Sequence, residues 1–81
     1  MSGQQPPLTC KEIKAILIYL KFEPRKRTGT SHEKWVKTDG DKRYIVTVDC
    51  PKSPFSQILI KSMAEQAGKK KKDFYAILKK L

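Results

Sequence analysis

Ile13, Ile16, Leu17 and Leu20 recur at i, i+3, i+4 and i+7, the apolar face of an amphipathic helix of about three turns. Just ahead of them, Thr9-Cys10-Lys11-Glu12 has the T-x-x-E form of a capping box, in which the Thr9 hydroxyl takes the N–H of Glu12 and the Glu12 carboxylate reaches back. A first helix is therefore expected at about 10–20. From Phe22 the pattern changes. Phe22 to Arg27 is too polar for a central strand, and Pro24 has no N–H for a ladder, so a strand here belongs at a sheet edge. Thr28-Gly29-Thr30-Ser31 is a turn by composition. His32 to Lys37 predicts a second strand, and Thr38-Asp39-Gly40-Asp41 holds the Asp-Gly hairpin signal. Arg43 to Val48, rich in β-branched and aromatic residues, is the best strand in the chain. Together these make a three-stranded antiparallel meander. Which of its faces is buried stays open, because the third strand carries apolar residues on both.

Beyond a loop at 49–53, Ser53-Pro54 predicts a helix start, with Ser as cap and Pro at the first helical position. Ile58, Leu59, Met63 and Ala67 form its expected stripe, and Gly68 its C-terminal stop. Asp73 is placed to cap a last short helix, in which Phe74, Ile77, Leu78 and Leu81 repeat the spacing of the first. The order is α-β-β-β-α plus a small terminal helix. It predicts a two-layer α+β domain with the helices on one sheet face. Eighty-one residues give room for one domain. Residues 1–8, polar and proline-rich, are expected to form a flexible lead, and 9–81 a single domain.

Charge narrows the partners. Lys and Arg number 18 against 8 acids, a formal net charge of +10. The surplus favours a polyanion or an acidic protein. It is concentrated in two places. Residues 21–43 carry eight basic and four acidic side chains, and residues 69–81 carry six Lys and one Asp, while 44–68 balance at zero. Lysines and arginines of this kind neutralise phosphates without sequence preference. Lys69-Lys70-Lys71-Lys72 reads equally well as a solvated segment between helices or as an RNA contact. Arg25-Lys26-Arg27 leads straight into the Gly-containing turn and reads better as phosphate-binding.

Cys10 and Cys50 are far apart and lack CxxC spacing. They read as two reduced, half-buried thiols of a cytosolic protein. With one histidine they make only three candidate zinc ligands, without clustered spacing, so no metal and no cofactor are expected. No apolar run approaches the roughly 20 residues needed to span a bilayer. No basic-then-apolar leader opens the chain. A cytoplasmic location and no membrane partner are the resulting expectations.

Gly29-Thr30-Ser31-His32 is the stretch with chemical content. Glycine and short hydroxyl residues let the backbone approach a phosphate closely. An exposed imidazole suits proton transfer near neutral pH. RNA brings its own nucleophile, the 2′-hydroxyl. An enzyme then has to deprotonate it, stabilise the crowded phosphate with Lys or Arg, and protonate the leaving oxygen. His32 is thus the candidate catalytic residue, and Arg25, Lys26, Arg27, Gly29, Ser31 and Lys34 are the candidate RNA-binding residues. Taken alone, a single histidine in a basic domain is more often an ordinary surface residue. No second histidine is present to share acid and base duties.

From about Leu8 to Leu78 the chain resembles the HicA toxins of prokaryotic type II toxin–antitoxin systems. The resemblance rests on the opening helix from Thr9 through Leu20, followed by Lys21-Phe22 where the family tends to have a Gly-aromatic pair. It rests further on Arg27-Thr28-Gly29-Thr30-Ser31-His32 against a Gly-Ser-His signature, and on Tyr44-Ile45-Val46-Thr47-Val48 as third strand. Last comes a helix ending Ala64-Glu65-Gln66-Ala67-Gly68. Thr30 departs from the simplest signature by lengthening the turn. The resemblance implies a fold like a double-stranded-RNA-binding domain. It also implies an mRNA interferase, an endoribonuclease that blocks translation by cutting mRNA with the histidine, here His32. The implied partner is a HicB-type antitoxin covering the His32 face. An aromatic three residues after the histidine, here Trp35, reads first as core and second as a platform for an unpaired base. The competing function is a non-catalytic RNA-binding module of the same fold.

Overall fold

The computed structural model describes residues 6–25 and 32–81. Helix α1 runs Cys10–Tyr19, strand β1 Glu23–Pro24, β2 His32–Asp39 and β3 Lys42–Asp49. A 3-10 turn at Cys50–Lys52 leads to α2, Gln57–Gln66, and then α3, Lys71–Leu78. The element order is the expected α-β-β-β-α with a short last helix. The sheet is antiparallel in the order β1-β2-β3, so the proline-bearing strand does lie at an edge. β1 is brief, pairing Glu23 with Val36 and Pro24 with Trp35. β2 and β3 pair along their whole length, from His32 opposite Asp49 to Asp39 opposite Lys42. Their turn has Gly40 in its first central position at φ 62°, the glycine-first form of a two-residue hairpin.

Side chains alternate across the sheet, and burial decides the face the sequence left open. Trp35, Val46 and Val48 share one face and are all buried. They meet Ile13, Ile16 and Leu17 of α1, Ile60, Met63 and Ala64 of α2, and Phe74 and Ile77 of α3 in one core. At the end of this face Lys14 of α1 pairs with Glu33 at 2.8 Å, and the same carboxylate accepts from the Trp35 indole N–H at 3.3 Å. The other face carries His32, Lys34, Val36 and Thr38 opposite Asp49, Thr47, Ile45 and Arg43.

Helix ends follow local rules. The Thr9–Glu12 capping box is formed, with Glu12 N–H donating to Thr9 Oγ1 at 3.2 Å and Thr9 N–H to Glu12 Oε1 at 2.9 Å. α1 and α2 end in the same motif. Phe22 N–H returns to Leu17 O and Lys21 N–H to Ile18 O, as Lys69 N–H returns to Ala64 O and Gly68 N–H to Glu65 O. This paired return places one residue in the left-handed region. In α2 it is Gly68 at φ 75°; in α1 it is Lys21 at φ 74°. Asp73 caps α3 from inside its first turn, accepting from Lys70 N–H at 2.9 Å.

Four expectations are corrected. The lead is tied down from residue 6: the Tyr75 hydroxyl donates to Pro6 O, and Leu8, 1% exposed, bridges Phe55. α2 begins three residues later than Ser53-Pro54 suggests. Ser56 is its cap, accepting from Leu59 N–H at 3.3 Å, because the Ser53 hydroxyl is taken by Cys10 N–H at 2.9 Å and Phe55 is drawn into the core. The buried stripe is Ile60, Met63, Ala64 and Ala67, and Ile58 is 80% exposed instead of entering it; Leu81 likewise lies outside the core. Finally, Cys10 and Cys50 are not separate thiols. They form a disulfide, with Cα atoms 5.2 Å apart, that fastens the start of α1 to the turn after β3.

Candidate functional site

His32 opens β2 and Asp49 closes β3, and the antiparallel register sets them side by side on the face opposite to Trp35, Val46 and Val48, at the end of the sheet that α2 flanks. The imidazole Nε2 lies 3.2 Å from Asp49 Oδ2. The His32 side chain is 55% exposed and that of Asp49 18%, so the carboxylate supports the ring from below while the ring meets solvent. Asp49 is itself held. It precedes Cys50, whose disulfide and the adjacent Cys10–Ser53 hydrogen bond anchor the turn to α1. Lys52, one turn on, brings its Nζ to 4.0 Å from Asp49 Oδ2. A histidine oriented by a buried-side carboxylate is the arrangement used where an imidazolium must form and be stabilised during proton transfer.

Beside this pair is a cleft of about 220 Å³ between the end of β3, the turn after it and one flank of α2. His32, Asp49 and Lys52 stand at one part of its lining; Thr47, Ser62 and Gln66 add polar groups, and Phe55, Leu59 and Met63 an apolar floor. Gln66 also closes the sheet edge, its Oε1 accepting from Thr47 N–H at 3.1 Å.

Lys34 is exposed on the His32 face, opposite Thr47. Arg25, also exposed, is brought to it by the backbone, its N–H donating to Lys34 O at 2.7 Å. Lys34 thus shares the histidine's face two residues along β2, and Arg25 is its neighbour across the strands. Lys26, Arg27, Gly29 and Ser31 lie outside the described residues. Trp35 is 4% exposed and belongs to the core, which removes the stacking-platform reading. Tyr44 is half-buried against Gly68. Lys70 to Lys72 cap and open α3. Among the described residues no group of three or more His, Cys, Asp or Glu is placed to hold a metal ion, and no helix is long and apolar enough to cross a membrane.

Sequence reasoning missed Asp49 and Lys52. The available signal was an acid at the end of the best strand, but only the hairpin register, counted back from Gly40, makes it a partner of His32. Ser62 and Gln66 carried no signal beyond a polar helix flank. Comparison with known proteins finds no match of any kind: no family model, no curated protein and no solved structure.

Proposed function

We propose that this chain is a metal-independent endoribonuclease of the HicA kind, with a fold akin to a double-stranded-RNA-binding domain, that cuts mRNA using His32. The observation that supports it most directly is the exposed His32 imidazole backed by Asp49 at 3.2 Å, with Lys34 on the same sheet face and Lys52 in the turn beside Asp49, in a chain of net charge +10. In this reading the RNA 2′-oxygen gives up its proton and attacks the adjacent phosphorus. The bond from phosphorus to the next nucleotide's oxygen breaks, and that oxygen leaves with a proton. His32 handles one of these protons, and Asp49 stabilises the imidazolium while it carries it. Lysine and arginine side chains meet the charge that builds on the phosphate.

A surplus of positive charge around the site also suits an acidic antitoxin that covers the His32 face and keeps RNA out. We place the protein in the cytoplasm, with its substrate. A disulfide persists in a reducing cytosol chiefly in hyperthermophiles or as a redox-responsive bond, so a cytoplasmic home assigns Cys10–Cys50 to one of those two cases.

The test is incubation of purified protein with labelled mRNA in EDTA, beside a His32→Ala variant whose folding is checked by circular dichroism. Cutting by the wild type and loss of about 10²–10⁴-fold in rate for the variant is the expected result. Equal cutting by both moves the active site away from His32. Binding without cutting replaces the nuclease by the RNA-binding module.

A further inference from the structure

The α2 flank facing the His32 cleft has its own periodicity. Leu59, Ser62, Met63 and Gln66 stand at i, i+3, i+4 and i+7, one stripe of the helix, and all four line the cleft. It lies beside the stripe that enters the core, Ile60, Met63, Ala64 and Ala67; Met63 belongs to both, Leu59 is half-buried against the same core, and Ser62 and Gln66 are exposed. Core packing accounts for Met63 and in part for Leu59, but not for Ser62 and Gln66 on the same stripe. The stripe matches what a small ligand site offers, an apolar floor with a few placed polar groups.

We propose that this cleft is a nucleobase subsite: it receives one base of an RNA strand whose phosphate lies at His32 and Lys52. This rests on the RNA-cleaving reading of His32 given above. Size argues for a single ring system. About 220 Å³ falls below the roughly 300–1,000 Å³ of sites for drug-sized ligands. Chemistry argues for a base rather than an aliphatic group. Leu59 and Met63 supply apolar contact to a ring face. Ser62 offers a hydroxyl that both donates and accepts. Gln66 has its Oε1 committed to Thr47 N–H, so its amide NH₂ is the half left to meet a ligand, as a donor to a base carbonyl or ring nitrogen. Position argues for a nucleotide rather than a free base. The cation of Lys52 and the His32–Asp49 pair line the same cleft, so a phosphate at its mouth and a base within it are met by one continuous surface. A histidine that acts on any phosphodiester is thereby given a local preference for the neighbouring base.

The experiment uses the full chain with labelled Leu and Met methyl groups, titrated by NMR with the four nucleoside 3′-monophosphates and, separately, with inorganic phosphate. The expected result is saturable movement of the Leu59 and Met63 methyl signals by at least one nucleotide. Its affinity should exceed that of the poorest of the four at least tenfold, and phosphate alone should leave these methyls in place. Ser62→Trp, at an exposed helix position, fills the cleft and should weaken that nucleotide at least tenfold. Ser62→Ala, which leaves the space open, should weaken it less. In the RNA-cutting assay Ser62→Trp should redistribute the cut sites.

Any of three outcomes overturns the proposal: phosphate shifts the methyls as strongly as the nucleotides do, all four nucleotides leave them unmoved, or Ser62→Trp changes neither affinity nor cut sites. If the wild type still cuts RNA through His32 under any of these, the nuclease reading stands and only the subsite falls. Base-selective methyl shifts in a protein that does not cut give the opposite result: the subsite stands, holding a base for an RNA-binding module.

Discussion

On one face of the sheet Trp35, Val46 and Val48 lie under three helices. On the other, His32, Lys34, Ile45 and Asp49 look outward. The two sets come from alternate residues of the same two strands, so each residue of one face has a neighbour on the other. Glu33, which joins Lys14 and the Trp35 indole, follows His32 directly; Asp49, which backs His32, follows the buried Val48. A slip of one residue in the pairing would exchange the faces, burying the histidine and exposing the tryptophan. Core and candidate site thus depend on one register. The burial of Trp35 and Val46 fixes that register, and the register delivers Asp49 to His32.

The comparison breaks most sharply at Trp35 on the inner face and His32 on the outer. Trp35→Ala should cost about 3–5 kcal/mol of stability, read in urea unfolding, and any loss of RNA cutting should follow the unfolded fraction. His32→Ala should do the reverse: it should lower the cutting rate by about 10²–10⁴-fold and shift the unfolding free energy by no more than about 0.5 kcal/mol. If both variants lose stability equally, the two faces are not functionally distinct.

Next in size is the bond that ties the outward pair to the inner layer. Replacing Cys10 and Cys50 together by serine should lower stability by about 2–4 kcal/mol, as for a native loop-closing disulfide. Reductant should lower the melting temperature of the wild type and leave that of the double variant unchanged. A wild type insensitive to reductant would show that the sulfurs contribute by packing alone.

Neighbours on β3 give a direct contrast. Val46→Thr places a hydroxyl in the core and should cost about 1–3 kcal/mol. Ile45→Thr, one residue away on the outward face, should stay within about 0.5 kcal/mol. The smallest effect concerns the support of the histidine. Asp49→Asn keeps the shape but removes the charge behind an exposed imidazole, and should slow RNA cutting by about tenfold, the equivalent of one charged hydrogen bond at the low end of its range, with stability nearly unchanged. A cutting rate untouched by Asp49→Asn would make the His32–Asp49 pair an ordinary surface contact.

Much of this was legible in order along the chain, and the exceptions have a common cause. Lys21 illustrates it. It follows a helix at the place where α2 has Gly68, and its φ of 74° is a conformation that favours glycine. Nothing in a lysine announces that; the return of Phe22 N–H to Leu17 O imposes it, because Phe22 must be buried. Ser53 and Ser56 illustrate it again. Both are good helix caps by type, and Ser53-Pro54 is the stronger local signal. Ser53 was lost to the helix because Cys10 N–H claimed its hydroxyl from 43 residues away.

Type and spacing along the chain were enough for what neighbours settle between themselves: the Thr9–Glu12 cap, the stop at Gly68, the hairpin at Gly40 and the edge strand at Pro24. These depend on torsions and hydrogen bonds within a few residues. Tertiary structure alone decided which sheet face went inside, where α2 began, that Cys10 meets Cys50, and that Asp49, Lys52, Ser62 and Gln66 gather around the histidine. Each of these is settled by competition for burial and for hydrogen-bond partners between segments far apart in the chain, which exists only once the chain has closed on itself.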